Sequence, residues 1–391
     1  MKTIVIDGIF FQLNEWSGIA RFWRTLLSDL DRKLEDIESL RIFVLARGSS
    51  TTLRGDQFQH IQILPVAYFD PLCALSDYKE LSYICRAVEA DVFISSYYTL
   101  AYGVANIGIA YDFIPEAMGW MNNHIWKLKE IYMRSLRHCL SISRSTAYCA
   151  ELYYPNLTSD NKDIFYPPIT KGETRTIAKA EINQLRQSHG LNYPYVAVVG
   201  HRYDYKNVNL LMRALETRPA YSSKISLGVV ATSGEALTDQ EMELFQQHFQ
   251  FGIRRVELDS TDMPTFLNAA EVLFYPSLLE GFGYPIAEAL AQQCPVITTG
   301  ATSISEILEY AESEDYKLIS GHDEKEALLA IIDITNKRQR ASATTAARIS
   351  EAFGKVDALA FVHRLLTLSE AIAPPLEPEL PGLLAIDGLL A

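Results

Sequence analysis

Short runs of apolar, β-branched residues alternate along the chain with longer stretches of helical periodicity. In the first half the runs are Thr3–Asp7, Arg41–Ala46, Ile61–Leu64, Asp91–Ser95, Ile107–Ala110, Cys139–Ser143 and Asp163–Tyr166. Strands alternating with helices predict an α/β domain with a mostly parallel sheet. Tyr166-Pro167-Pro168 interrupts the pattern, and Thr170–Ser188 is polar and partly helical. The alternation then resumes, with strands expected at Tyr195–Val199, Ile225–Ala231, Arg255–Leu258, Val272–Tyr275, Pro295–Thr298 and Tyr316–Ile319. Glu351–Ile372 carries Phe353, Val356, Leu359, Phe361, Val362, Leu365 and Leu366 at helical spacing. The predicted organisation is a first Rossmann-like, doubly wound domain over 1–168, a linker over 169–192, a second such domain over 193–350, a C-terminal helix over 351–372 and a Pro/Leu tail over 373–391. In such sheets ligands bind beyond the carboxyl ends of the strands, here in a cleft between the domains.

Composition narrows the function. A chain of 391 residues suits two domains, and 48% hydrophobic with 21% charged residues is ordinary globular usage. No apolar run reaches the roughly 18 residues of a membrane span. Asp7 comes too early for a signal-peptide core. Cys73, Cys85, Cys139, Cys149 and Cys294 form no CxxC pair, so reduced thiols in a cytoplasmic protein are expected. The net charge of −13 argues against nucleic-acid binding. That charge is unevenly divided: residues 1–190 hold 20 Lys+Arg against 21 Asp+Glu, and residues 191–391 hold 15 against 27.

The strongest chemical signal is Glu280-Gly281-Phe282-Gly283-Tyr284-Pro285-Ile286-Ala287-Glu288, which follows a strand and runs into a helix. A strand–glycine loop–helix junction aims backbone N–H groups and the positive helix end at one point. That arrangement suits an anionic or polyhydroxylated ligand, whose hydroxyls the two carboxylates can hold. A second candidate is Gly200-His201-Arg202-Tyr203-Asp204-Tyr205-Lys206-Asn207, with two cations in the loop after a strand. The plainer alternatives are a capped helix with a solvated Glu pair and a surface pair of basic residues.

The first motif resembles the E-x7-E signature of the retaining glycosyltransferases of family 4, which have the GT-B fold. The flanking Leu273-Phe274-Tyr275-Pro276-Ser277, Gln293-Cys294-Pro295-Val296-Ile297 and Ile304-Ser305-Glu306-Ile307 match as well, so the resemblance runs from about residue 264 to 310. It implies two Rossmann-like domains facing across a cleft, with a C-terminal helix crossing back. It implies transfer of a hexose from a nucleotide diphosphate sugar to a glycan, lipid-linked or other hydroxyl acceptor, with retention, in bacterial polysaccharide or glycoconjugate synthesis. By the same resemblance Arg202 and Lys206 would stabilise the leaving diphosphate. Glu280 with the backbone of Gly281, Phe282 and Gly283 would hold the sugar, and Glu288 the ribose. Gly18, in Ser17-Gly18-Ile19-Ala20-Arg21, would open the first helix towards the donor phosphates. No cofactor is implied, and no metal, since the family generally manages without an Asp-x-Asp site.

One element departs from the family. Ile109-Ala110-Tyr111-Asp112-Phe113-Ile114-Pro115 resembles "HD.IP", with Tyr111 where many relatives carry His. Tyr can hydrogen-bond a sugar but cannot titrate near neutrality as His does. Tyr111 and Asp112 are therefore the acceptor-side candidates, with Asp112 retained as a catalytic candidate. Residues 120–144 hold Lys127, Lys129, Arg134, Arg137 and Arg144 among Trp120, Trp126 and Tyr132. They offer a peripheral membrane contact on the inner face, although a core helix with a solvated basic face is the favoured reading. Two rival functions stand beside the transferase: a non-catalytic sugar-nucleotide or glycan-binding protein, and a sugar epimerase of the same fold.

Overall fold

In the computed structural model the apolar runs pair as strands, the central ones buried along most of their length. The structure describes residues 1–48, 53–158, 160, 163–169, 172, 174–201, 203–219, 222–337 and 339–372. The first sheet comprises β1 (Lys2–Asp7), β2 (Leu40–Arg47), β3 (Gln62–Val66), β4 (Val92–Ser95), β5 (Ala105–Ala110) and β6 (Cys139–Ser141). The second comprises β7 (Tyr195–Val199), β8 (Gly228–Thr232), β9 (Ile253–Val256), β10 (Val272–Tyr275), β11 (Val296–Thr298) and β12 (Tyr316–Leu318). Every strand pair is parallel, as helical crossovers require.

The orders are β3-β2-β1-β4-β5-β6 and β12-β11-β10-β7-β8-β9. Read from the opposite edge, the second repeats the first. In each sheet the winding direction reverses between two central strands, β1 and β4 in one and β7 and β10 in the other. That reversal opens the crevice in which doubly wound sheets hold ligands.

The chain divides into two units, one of Met1–Pro167 with the chain from Val356 onward, the other Pro168–Lys355. Each has its own core. Leu45, Tyr78, Phe93 and Tyr132 are buried in the first. Val196, Leu211, Phe274 and Ile331 are buried in the second.

Three expectations need correction. Asp163–Tyr166 is not a strand: a single bridge joins Ile164 to Ser141, and Pro167 and Pro168 have no N–H with which to extend it. The stretch 169–192, read as a linker, belongs to the second unit, which begins at Pro168. It contains the helix Lys179–His189, which buries Leu185 and ends on Gly190 at φ 65°. Arg186 ties this helix to the second unit, donating to the Ala269 carbonyl at 3.1 Å. The helix over 351–372 is two helices, Ala343–Phe353 and Ala358–Glu370. Asp357 caps the second, accepting from the Ala360 N–H at 3.1 Å.

That second helix belongs to the first unit. Phe361 lies against Phe22, Trp23 and Phe165, and Arg364 donates to Asp163 at 2.5 Å. The crossing back expected of the C-terminal helix is thus present, and the tail over 373–391 lies outside the described residues.

Candidate functional site

Two loops leave the central strands of the second sheet, one after β7 and one after β10. Asn207 ties them to the rest of that edge. It sits in the left-handed region at φ 53°, and its Nδ2 donates to the Gly321 carbonyl at 2.8 Å and the Pro276 carbonyl at 3.3 Å. The Leu278 N–H reaches back to the Tyr205 carbonyl at 2.8 Å. Lys206 and Glu280 are thereby brought together from 74 residues apart.

The Lys206 Nζ donates to Glu280 Oε1 at 2.7 Å and to the Tyr275 hydroxyl at 2.7 Å. That hydroxyl donates to the same Oε1 at 2.6 Å. The Lys206 and Glu280 side chains are 17% and 9% exposed, so water screens this pair only partly. Lys206 also lies over the rings of Tyr205 and Tyr275, at 5.3 and 5.1 Å. Burial, with Glu280 and Glu288 nearby, pushes the Tyr275 phenol well above its ordinary range. It therefore stays protonated and serves as a donor.

The backbone of this loop is fixed as firmly. The Glu280 N–H donates to Thr302 Oγ1 at 2.9 Å, and Ser303 Oγ donates to the carbonyls of Glu280 and Phe282 at 3.0 and 2.9 Å. Gly283, at φ 99°, turns the chain into the helix Tyr284–Ala291, a conformation that L side chains adopt at a cost. No acidic residue occupies the first turn of that helix, and Glu288 is buried within it. Gly281 and Phe282 are buried too, with the Phe282 ring edge-on to Tyr284 and Phe353. Neither glutamate is the solvated surface group of the plainer alternative. Arg202 lies outside the described residues.

In the first unit the candidates are placed differently. Gly18 opens the helix Gly18–Lys33, and the Ser17 Oγ caps it by accepting from the Ala20 N–H at 3.3 Å. Tyr111 is 3% exposed, its hydroxyl accepts from Trp23 Nε1 at 2.6 Å, and it donates its proton to the Ser96 carbonyl at 2.9 Å. With that proton committed and the ring buried, Tyr111 braces the core of the first unit. Asp112 is half-buried; its Oδ1 accepts from the Ile114 N–H at 3.1 Å and so shapes the turn after β5.

The basic stretch is also revised. The Lys129 side chain is fully buried, bonded to Glu116 at 2.7 Å and to the Asp112 carbonyl at 2.8 Å. Lys127 and Arg134 are exposed but share Glu130. The helix His124–Ser135 thus shows solvent a weaker basic face than its sequence suggests. No helix among the described residues is long and apolar enough to cross a membrane.

Two groups escaped the sequence reading. Tyr275 looked like one more apolar strand position. The other is a buried cluster at the carboxyl edge of the first sheet, where Arg47, 1% exposed, lies between two carboxylates. It bonds Asp7 at 2.8 and 2.6 Å, and Asp77 through Nη1 and, at 3.1 Å, through Nη2. Thr99 Oγ1 adds a bond to Asp7 at 2.5 Å. Burial pushes the Asp77 carboxyl up, while Arg47 pulls it down. Four residues some 30 to 90 positions apart in sequence leave no local signal.

Residues 193–337 match the family described as glycosyl transferases group 1. Over 65 residues the chain is 38% identical to the O-antigen chain mannosyltransferase B of Escherichia coli, covering 16% of this chain and 17% of that protein. It is 24% identical over 206 residues to the O-antigen chain mannosyltransferase RfbU of Salmonella typhimurium, covering 49% of this chain and 51% of the relative. The matches thus span about half or less of these curated relatives. Among solved structures, Anabaena HepE in complex with UDP and glucose superposes with a TM-score of 0.64 at 14% identity, over 95% of this chain and all of that one. The fold is GT-B.

Proposed function

We propose that this GT-B chain, whose second unit is a glycosyl transferases group 1 domain, is a nucleotide-sugar-dependent retaining hexosyltransferase. The Lys206–Tyr275–Glu280 cluster beside the Gly281–Gly283 turn is the observation that carries this reading. In the second unit, Lys206 stabilises charge on the departing diphosphate, and Arg202 joins it by resemblance. Glu280 accepts hydrogen bonds from the transferred sugar, Glu288 from the ribose. The bond from the anomeric carbon to the phosphate oxygen breaks, and its electron pair leaves with the nucleoside diphosphate. A bond to the acceptor oxygen forms on the same face, and the acceptor proton passes to the departing phosphate.

The first unit supplies the acceptor side, with Asp112 after β5, and by resemblance Gly18 at a helix start serves the donor phosphates. The acceptor is a glycan or a lipid-linked glycan, in keeping with the O-antigen names of the matched relatives. Protein cations take the place of a divalent metal, so activity survives a chelator. Those names make GDP-mannose the first donor to try, and the UDP and glucose bound by HepE make UDP-glucose the second.

A thermal-shift and donor-hydrolysis screen against nucleotide sugars tests the reading. A donor at 1,000 times its Kd stabilises the folded protein by about 4 kcal/mol. Absence of both a shift and nucleoside diphosphate release across the panel would overturn it. The anomeric configuration of the product, read by NMR, decides retention.

A further inference from the structure

The proposal above gives the hydroxyl of Tyr275 no role of its own. We infer that it is a positioning group of the donor site, holding Lys206 and Glu280 as one unit so that Glu280 offers its second oxygen to the ligand. This inference rests on the donor reading of the cluster.

Three atoms, Lys206 Nζ, Tyr275 Oη and Glu280 Oε1, form a closed triangle with sides of 2.7, 2.6 and 2.7 Å. Its direction is fixed by chemistry. An ammonium can only donate, so the phenol accepts from Lys206 and gives its single proton to Glu280. Both donors therefore converge on Oε1, and Oε2 has no hydrogen-bond partner among the described residues. A carboxylate with one oxygen doubly held and the other open is fixed in orientation and still able to accept from a sugar.

Filling the core does not explain the hydroxyl. The ring ends β10 after Val272, Leu273 and Phe274, and Phe would fill the same space. Without the hydroxyl, Lys206 would keep a flexible stem and could cover either carboxylate oxygen. The phenol removes that freedom before the donor arrives, which is preorganisation of a charged site.

The test uses the full chain, with GDP-mannose and UDP-glucose as donors. It compares wild type, Tyr275→Phe, Lys206→Ala and the double variant by kcat and KM for nucleoside diphosphate release. Tyr275→Phe is expected to lower kcat/KM for the donor about 10- to 100-fold, the value of a hydrogen bond to a charged group. The losses from Tyr275→Phe and Lys206→Ala are expected not to multiply in the double variant, because the two groups act on one oxygen. Circular dichroism and thermal unfolding accompany each variant, and Tyr275→Met replaces the Phe variant if that one does not fold. Unchanged kcat/KM, or losses that multiply fully, would overturn the positioning role while leaving the donor reading standing. A Lys206→Ala variant with undiminished donor turnover would instead overturn the donor reading, and this role with it.

Discussion

Substituting Arg47 by Met should strongly destabilise the first unit. Met keeps much of the length of the side chain and removes its charge. Asp7, fully buried, and Asp77, 8% exposed, would then face each other with no cation between them. Losing one partner of a buried ion pair costs about 3–5 kcal/mol, because the remaining charge is left uncompensated. Thr99 still donates to Asp7, and one carboxyl can take up a proton, so the lower half of that range applies near neutral pH. For a unit of this size about 3 kcal/mol corresponds to roughly 6–12 °C in Tm.

Asp77→Asn is the informative companion. Two carboxylates share one guanidinium and burial already disfavours the charge on Asp77, so Asn should cost about 1 kcal/mol or less. The assay is favourable: Trp16, Trp23, Trp120 and Trp126 are the only tryptophans and all lie in the first unit. Urea unfolding followed by tryptophan fluorescence therefore reports that unit, while circular dichroism reports both. The reasoning is refuted if Arg47→Met falls within about 1 kcal/mol of wild type, or if Asp77→Asn costs as much as Arg47→Met.

Three further outcomes are expected. Lys206→Ala should abolish the thermal shift given by a nucleotide sugar, measured by differential scanning fluorimetry, and a retained shift would exclude Lys206 from the diphosphate site. Gly283→Ala should cost about 1–2 kcal/mol in the second unit through backbone strain alone, because the added Cβ would meet Ile304 and Ile307 at an ordinary 3.5 and 3.6 Å; urea unfolding followed by circular dichroism checks this. His248 is buried and accepts from Arg218 at 3.2 Å, and burial followed by the Arg218 charge holds its pKa below the ordinary histidine value. A depressed histidine contributes stability that is present above about pH 6.5 and lost as pH falls. The second unit should therefore weaken between about pH 7 and 5, and His248→Gln should flatten that slope.

The sheets were legible because their strands are nearly continuous apolar runs, whose alternation with helices has few architectural solutions. The E-x7-E element was legible because it is contiguous. What escaped detection depends on contacts distant in sequence. Tyr111 stood among the acceptor-side candidates because nothing local reveals that Trp23 and Ser96 bond its hydroxyl. Lys129 looked like part of a basic face because its partner Glu116 lies on a different helix. The break between the last two helices was misread because apolar spacing continues across Gly354–Asp357, while the capping by Asp357 is a local polar signal.

The helix Ala358–Glu370 also bears on how the protein is made. Residues 1–167 are synthesised before residues 358–370, so Phe22 and Trp23 wait for Phe361, and Asp163 for Arg364. Pro168–Lys355 is continuous and needs nothing downstream. The unit translated second is thus the first that can finish folding, the reverse of the usual order for multidomain chains. In the meantime the nascent first unit lacks the Phe361 ring that lies against Phe22 and Trp23, and a chain stopped before residue 358 would leave them without it.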